Sequence, residues 1–259
     1  MNDESMVPGV TEWWGTFDVA VDAAVECVAG PLTLSVRRHA NEWRVLQGAH
    51  AGAGAPATAH DETARRFVFR QTEGPLRITP ALADRPVVTR PADHLAIAPD
   101  QELTLYVSSP VWVRLDVGEP PQFLDEMPIV RSSDTWFGPN TREGMVCYAS
   151  RTEGRLSVDD IPARPDRAVT AARLRNLAGE PMTIDRISLP VPYMALYATV
   201  DGRLWTQSIT LIHTSDAELS EVTFETGAPG EVSDARQIAP ARQKVSEKTL
   251  FHSFSAMFG

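Results

Sequence analysis

The chain has 259 residues, of which 43% are hydrophobic and 22% are charged, an ordinary globular composition that excludes wholesale disorder. Its formal net charge is -10 and it contains no run of lysines or arginines, so nucleic acid is not an expected partner. A protein partner, self-association or at most a peripheral membrane contact fits this charge better.

Short segments in which apolar and polar residues alternate recur along the chain and predict β-strands. In 111–117, for example, Val111, Val113 and Leu115 alternate with Trp112 and Arg114. The predicted strands are 17–21, 32–36, 66–70, 75–79, 102–107, 111–117, 145–150, 155–158, 169–175, 182–187, 204–212 and 221–224. Many short strands interrupted by twenty prolines predict an all-β, antiparallel β-sandwich.

Two dipeptides predict hairpin turns between these strands. Asp201-Gly202 is the stronger signal, because a two-residue hairpin turn needs positive φ at its central positions. Glu153-Gly154 is a weaker version of the same signal. The proline-rich segment 118–128 predicts a boundary near residue 120, with an N-terminal sandwich half at 8–120 and a second half at 121–242.

The last segment, 243–259, predicts a short amphipathic helix. Phe251, Phe254, Met257 and Phe258 recur at helical spacing and would form one aromatic stripe. That stripe either packs on the protein's own sheets or docks a partner. A membrane anchor would need a more basic polar face than this segment offers.

No catalytic, metal or cofactor motif is present in the sequence. The six histidines and two cysteines lack metal-ligand spacing, and there is no Gly-x-Ser-x-Gly nucleophile elbow. Residues 48–60 contain a Gly-x-Gly without the rest of a phosphate-binding fingerprint. Carboxylates near 125 and 134 leave open a glycosidase-like acid pair.

The loop in 132–152 concentrates residue types that are common in binding sites. Asp134, Trp136, Arg142 and Arg151 are the candidate binding residues. The alternative is a structural corner, in which the aromatic rings cap the sheet and the arginines pair with nearby acids.

Cys27 and Cys147 are too few and too distant to form a disulfide scaffold, so both are predicted to be free thiols. The first residues show no secretory signal, and the apolar stretch 188–200 is too short to cross a bilayer. These features predict a cytoplasmic location.

The motifs "SDTWFGP", "CYASRT", "RLRNLAGEPMTIDRISLPVPYMALY" and "GRLWT" resemble an uncharacterised prokaryotic domain-of-unknown-function family, mainly over 130–206. The resemblance implies a soluble, β-rich fold and assigns no reaction, cofactor or site residue. The expected function is a non-enzymatic protein-binding or regulatory module. The alternatives are a carbohydrate-active or other hydrolytic enzyme with a carboxylate pair, and a structural subunit of a homo-oligomer.

Overall fold

The computed structural model describes residues 13–49, 64–214, 221–244 and 254–255, which form an all-β architecture of four sheets. The largest sheet has ten strands, in the order β1-β6-β9-β13-β17-β16-β20, with β10 added beside β9, β18 beside β13 and β19 beside β18. Its strands are β1 (Gly15–Phe17), β6 (Leu76–Leu82), β9 (Glu102–Val117), β10 (Gln122–Pro128), β13 (Arg167–Asn176), β16 (Leu196–Ala198), β17 (Leu204–Thr206), β18 (Ile209–His213), β19 (Glu221–Phe224) and β20 (Arg236–Ala239).

The other three sheets are smaller. A four-stranded antiparallel meander contains β2 (Ala24–Ala29), β3 (Leu32–Arg38), β4 (Glu42–Ala49) and β5 (Arg65–Val68). A five-stranded sheet has, in spatial order, β11 (Asp134–Phe137), β12 (Met145–Ala149), β7 (Val87–Thr89), β15 (Arg186–Leu189) and β21 (Phe254–Ser255). The last pair is β8 (Leu95–Ile97) with β14 (Met182–Ile184), and 3₁₀ turns occur at Val158–Asp160 and Val191–Tyr193.

Strand β9 organises the ten-stranded sheet. Its sixteen residues join two segments that the alternation predicts as separate strands, because Ser108, Ser109 and Pro110 continue the extended chain between them. The first half of β9 pairs with β13, whereas the second half pairs with β6 on one edge and with β10 on the other. Pro110 is the last residue of β9 that pairs with β13, where it lies opposite Arg167, and the pairing with β6 begins at Val111.

The hydrophobic core is one main cluster to which all four sheets contribute. Val36 of β3, Val113 of β9, Ile184 of β14 and Ile187 of β15 belong to it, and each is buried. Burying one such side chain stabilises the fold by roughly 1.5–3 kcal/mol, so this shared core couples the sheets. The division near residue 120 stays a prediction, and the ten-stranded sheet takes strands from both sides of it.

The all-β prediction is confirmed, but a purely antiparallel arrangement is wrong. β12 pairs with β7 in parallel, and β13 pairs with both β17 and β18 in parallel. Parallel neighbours need long connections, and these pairs have them, because other strands lie between the partners in the chain.

The two hairpin predictions have different outcomes. β16 and β17 form the antiparallel pair predicted around Asp201-Gly202. The two-residue turn is wrong, because only Gly202 has positive φ, at 79°, and three residues separate the hydrogen-bonded Thr199 and Arg203. The Glu153-Gly154 prediction is wrong: Gly154 forms an isolated bridge with Pro91 instead of a hairpin turn. A Cβ at Gly154 would lie 2.6 Å from Cδ2 of Leu105, so close packing explains this glycine.

Of the segment 243–259, where a helix is predicted, the structure describes 243–244 and 254–255, and none of these four residues is helical. Phe254 and Ser255 form strand β21, which pairs with Ile187 and Arg186 of β15, so these two positions are extended. The paired edge of β15 gives their backbone groups the partners that a helix would have supplied. Phe251, Met257 and Phe258 lie outside the described residues.

Candidate functional site

An open groove of about 1170 Å³ lies where the four-stranded meander, β10 and the β11–β12 hairpin meet. Its lining comes from several elements: Pro31, Leu32, Gln47, Gly48 and Arg65 of the meander, Arg85, Trp112 of β9, residues 126–134, Tyr148 and Arg151. We call this feature the arginine groove, because Arg65, Arg85, Arg131 and Arg151 all line it. Only Glu126 and Asp134 in the lining carry negative charge, so the lining is net positive in an acidic chain.

Two aromatic rings form part of the groove wall. The rings of Trp112 and Tyr148 pack with centroids 5.3 Å apart, and the guanidinium of Arg85 lies 5.3 Å from the Tyr148 centroid. The Tyr148 hydroxyl donates a 2.9 Å hydrogen bond to Oδ1 of Asp84. Burial, with a further contribution from that hydrogen bond, raises the pKa of Tyr148. Tyr148 therefore stays neutral near pH 7 and offers an apolar ring face.

Both carboxylates of the lining are already paired. Arg242 forms a two-pronged ion pair with Glu126, in which Nη1 donates to Oε2 at 3.0 Å. Nη1 of Arg85 lies 3.2 Å from Oδ1 of Asp134. Each acid of the lining therefore has a cation beside it.

Arg65 is paired as well, through an ion pair that links the meander to β10. Its Nη1 donates to Oδ1 of the buried Asp125 at 2.8 Å. Burial raises the pKa of Asp125, and the charge and hydrogen bond of Arg65 oppose that shift. This contact fixes one wall of the groove and leaves Arg65 with less charge to offer a ligand.

Arg131 and Arg151 differ from the other arginines of the groove. In the part of the chain that the structure describes, neither has a carboxylate within ion-pair distance. Nη2 of Arg151 donates to the backbone oxygen of Arg131 at 3.2 Å, which holds the two residues together. Both side chains are exposed, so these two guanidinium groups are available to an anion.

A third arginine, Arg167, lies behind this pair in a buried hydroxyl network. Its guanidinium donates to Oγ of Ser108 at 2.9 Å, to Oγ of Ser150 at 3.1 Å and to Oγ1 of Thr152 at 2.7 Å. Burial lowers the pKa of Arg167 to about 10, opposed by the negative charge of Asp166 and helped by the nearby arginines. Arg167 is therefore still charged at pH 7 and adds positive potential behind Arg151.

The candidate residues from the sequence divide between two places. Asp134 and Arg151 line the groove. Trp136 lies on the same face of the β11–β12 hairpin as Asp134, two residues along the strand, opposite Val146. Their exposed fractions are 40% for Trp136 and 46% for Val146, and we call this pair the apolar shelf.

Arg142 belongs to the turn of the hairpin and does not line the groove. Oδ1 of Asn140 accepts the backbone N–H groups of Arg142 and Glu143, each at 2.8 Å. Nε1 of Trp136 donates to the backbone oxygen of Asn140 at 2.8 Å. This turn is held by Asn140 and Trp136, and not by the arginine–acid pairs of the structural-corner alternative. Residues 131–134, Tyr148 and Arg151 line the groove.

Sequence reasoning missed Arg65, Arg85 and Arg131, because the groove brings together residues from separate sheets. One sequence feature could have identified Arg131. The run Arg131, Ser132 and Ser133 offers three side chains with hydrogen-bond donors, and its first acidic neighbour is Asp134.

Two other features concern the described residues as a whole. None of them forms a helix that is both long enough and apolar enough to cross a membrane. Within the same residues, no three histidine, cysteine or acidic side chains gather as a metal site would require. Cys27 and Cys147 are both free thiols, as predicted.

A family model described as "Protein of unknown function (DUF432)" matches residues 13–258. The match confirms the resemblance to an uncharacterised family and extends it from 130–206 to nearly the whole chain. No curated protein and no solved structure matches the chain significantly.

Proposed function

We propose that this chain, which belongs to the DUF432 family, is a non-enzymatic binding module that holds an acidic segment of a partner protein in the arginine groove. The observation that carries the proposal is the pair Arg131 and Arg151, two exposed guanidinium groups without carboxylate partners among the described residues. Arginine is suited to this role because its planar fork donates two parallel hydrogen bonds to a carboxylate.

The size and shape of the groove favour a chain segment as the occupant. Its volume of about 1170 Å³ exceeds the range of roughly 300–1,000 Å³ that is usual for small-molecule pockets. The groove is open to solvent and residues of several strands line it, so an extended peptide can lie against it.

The apolar shelf gives such a segment a second contact. Trp136 and Val146 continue the face on which Asp134 and Tyr148 line the groove. Tryptophan and arginine are enriched among residues that dominate binding energy at interfaces. A partner segment with an apolar residue near its acidic residues would therefore contact both features.

The direct test is fluorescence polarisation with a short labelled peptide that alternates glutamate with leucine, and with its glutamine counterpart. We expect the glutamate peptide to bind and the glutamine peptide to bind at least about tenfold more weakly, because a charge-assisted hydrogen bond contributes roughly 1.5–3 kcal/mol. Affinity for the glutamate peptide should also fall as salt is raised from about 50 to about 200 mM.

The variants Arg131→Gln and Arg151→Gln should each weaken binding of the glutamate peptide by about tenfold. Arg175→Gln is the control: Arg175 is also exposed, but it forms an ion pair with Glu102 (Nε to Oε2, 3.4 Å) at the far end of β9, ten residues or roughly 33 Å along the strand from Trp112. Equal binding of both peptides, or equal loss in all three variants, would refute the proposal. Sedimentation of the free protein tests the homo-oligomer alternative in the same samples.

We also propose that the sheets pack face to face as sandwich layers and that the protein acts in the cytoplasm. The main core cluster, to which all four sheets contribute, supports the packing, and the two free cysteines fit a reducing compartment. An experimental structure tests the first, and cell fractionation with thiol trapping tests the second.

A further inference from the structure

One end of the arginine groove has more hydrogen-bond donors than a carboxylate can use. The backbone N–H of Ala149 donates to the oxygen of Ser133 at 2.8 Å, and Arg151 donates to the oxygen of Arg131. These two contacts hold the 131–133 segment against the end of β12. The 131–133 segment and the guanidinium of Arg151 therefore lie beside each other in the lining of the groove.

The two serines between them add hydroxyl groups to this end. Ser132 and Ser133 both line the groove, and neither side chain has a hydrogen bond to any described residue. Ser132 is half-buried and Ser133 is exposed, so both hydroxyls can donate to a bound group.

The charge behind this end is also unusual. Arg167 is 7% exposed, and the described residues place no carboxylate within ion-pair distance of its guanidinium. Its hydrogen bonds go to hydroxyl and carbonyl oxygens, so the nearby negative charge of Asp166 acts on it only from beyond ion-pair distance. A buried cation of this kind is stabilised when an anion with more than one negative charge lies nearby.

We infer that the Arg131–Arg151 end of the groove recognises a phosphate monoester on the partner's acidic segment, such as a phosphorylated serine. This inference rests on the proposed function and specifies which chemical group of the partner the groove binds. A phosphate monoester carries about -1.5 to -2 charge and three acceptor oxygens. Two guanidinium forks and two hydroxyls match those oxygens, whereas a single carboxylate would leave part of the donor set unused.

The test compares three versions of the glutamate peptide, with serine, aspartate or phosphoserine at the central position. We expect the phosphoserine peptide to bind at least about tenfold tighter than the aspartate peptide. The ratio of the affinity for the phosphoserine peptide to that for the aspartate peptide should fall towards one in Arg131→Gln and Arg151→Gln. In Arg175→Gln this ratio should be unchanged. The double variant Ser132→Ala with Ser133→Ala should lower the ratio several-fold while leaving the melting temperature unchanged.

The outcomes separate the two proposals. If the aspartate and phosphoserine peptides bind equally and both need Arg151, the phosphate inference is overturned and the acidic-segment function stands. If no peptide binds, the proposed function fails and the inference fails with it. If inorganic phosphate alone displaces the peptide at concentrations near the peptide's own Kd, the site reads free phosphate and the inference of a phosphorylated segment is wrong.

Discussion

Gly138 in the β11–β12 hairpin is the position at which a single methyl group is expected to do the most local damage. A Cβ placed on Gly138 would lie 2.5 Å from Cα of Gly144 and 2.9 Å from the carbonyl carbon of Glu143, and closer still to that residue's oxygen. Every one of these atoms is backbone, so no side chain can rotate away to relieve the overlap. The substitution Gly138→Ala therefore has to push the two strands of the hairpin apart.

Overpacking of this kind costs about 1–3 kcal/mol in the free energy of unfolding. For a chain of this size each kcal/mol shifts Tm by roughly 2–4 °C, so the expected loss is roughly 2–12 °C. Urea unfolding followed by tryptophan fluorescence measures the free energy, and a thermal melt followed by circular dichroism measures Tm.

The matched control is Gly179→Ala, because a Cβ at Gly179 would meet no atom within 4 Å. That variant should stay within about 0.5 kcal/mol of the wild type, as surface substitutions usually do. If Gly138→Ala were as stable as Gly179→Ala, the close backbone approach in the hairpin would be refuted.

Three further predictions follow from buried or paired groups. Hydrogen bonds from Arg66 and Arg44 lower the pKa of Glu42. The ionised carboxylate should therefore stabilise the fold above the usual glutamate pKa of about 4.3, and this stabilisation should be lost as the pH falls through the lowered pKa. In urea unfolding at a series of acidic pH values, the free energy of unfolding should fall less steeply with decreasing pH for Glu42→Gln than for the wild type. Identical pH dependence of the two proteins would contradict the pairing. Burial raises the pKa of Cys27 to about 11 and also raises that of Cys147. Both thiols should therefore react slowly with a disulfide reagent at pH 8 in the folded protein and quickly in urea. Rapid labelling of the folded protein would show that they are not protected. Finally, Arg242→Gln should free Glu126 inside the groove and weaken binding of the glutamate peptide several-fold, which polarisation measures directly; unchanged affinity would place the peptide elsewhere.

The sequence predicts several strands, including both halves of β9, because each carries its own alternation. It misses β2 and β4, and the strand predicted at 155–158 is wrong, because Arg155 forms only an isolated bridge and a 3₁₀ turn begins at Val158. Leu105, Val107 and Val113 of β9 are fully buried, as their period-two spacing indicates. The alternation does not predict which strands pair. The parallel pairing of β13 with β18 depends on the strands that separate the two in the chain, and no local sequence pattern predicts it. The continuity of β9 through Pro110 was missed for a similar reason, because a proline usually ends a strand.

The candidate site was predicted in part. Residue type alone pointed to Asp134 and Arg151, which do line the arginine groove, and to Trp136, which borders it. It also pointed to Arg142, which the hairpin turn places outside the lining. The role of Arg131 depends on which arginines already have acidic partners. That is decided by contacts such as Arg65 with Asp125, sixty residues apart, which only the folded chain reveals.

The double partnership of β9 determines where the chain can accept a change in length. One residue inserted or removed within β9 would move Arg114 to the face now occupied by Val113 and Leu115, because side chains alternate along a strand. The same shift would misalign β6, β10 and β13 together, since all three take their register from this strand. Relatives of this protein should therefore vary in length in the connections between strands, whereas the sixteen positions of β9 should be kept without gaps.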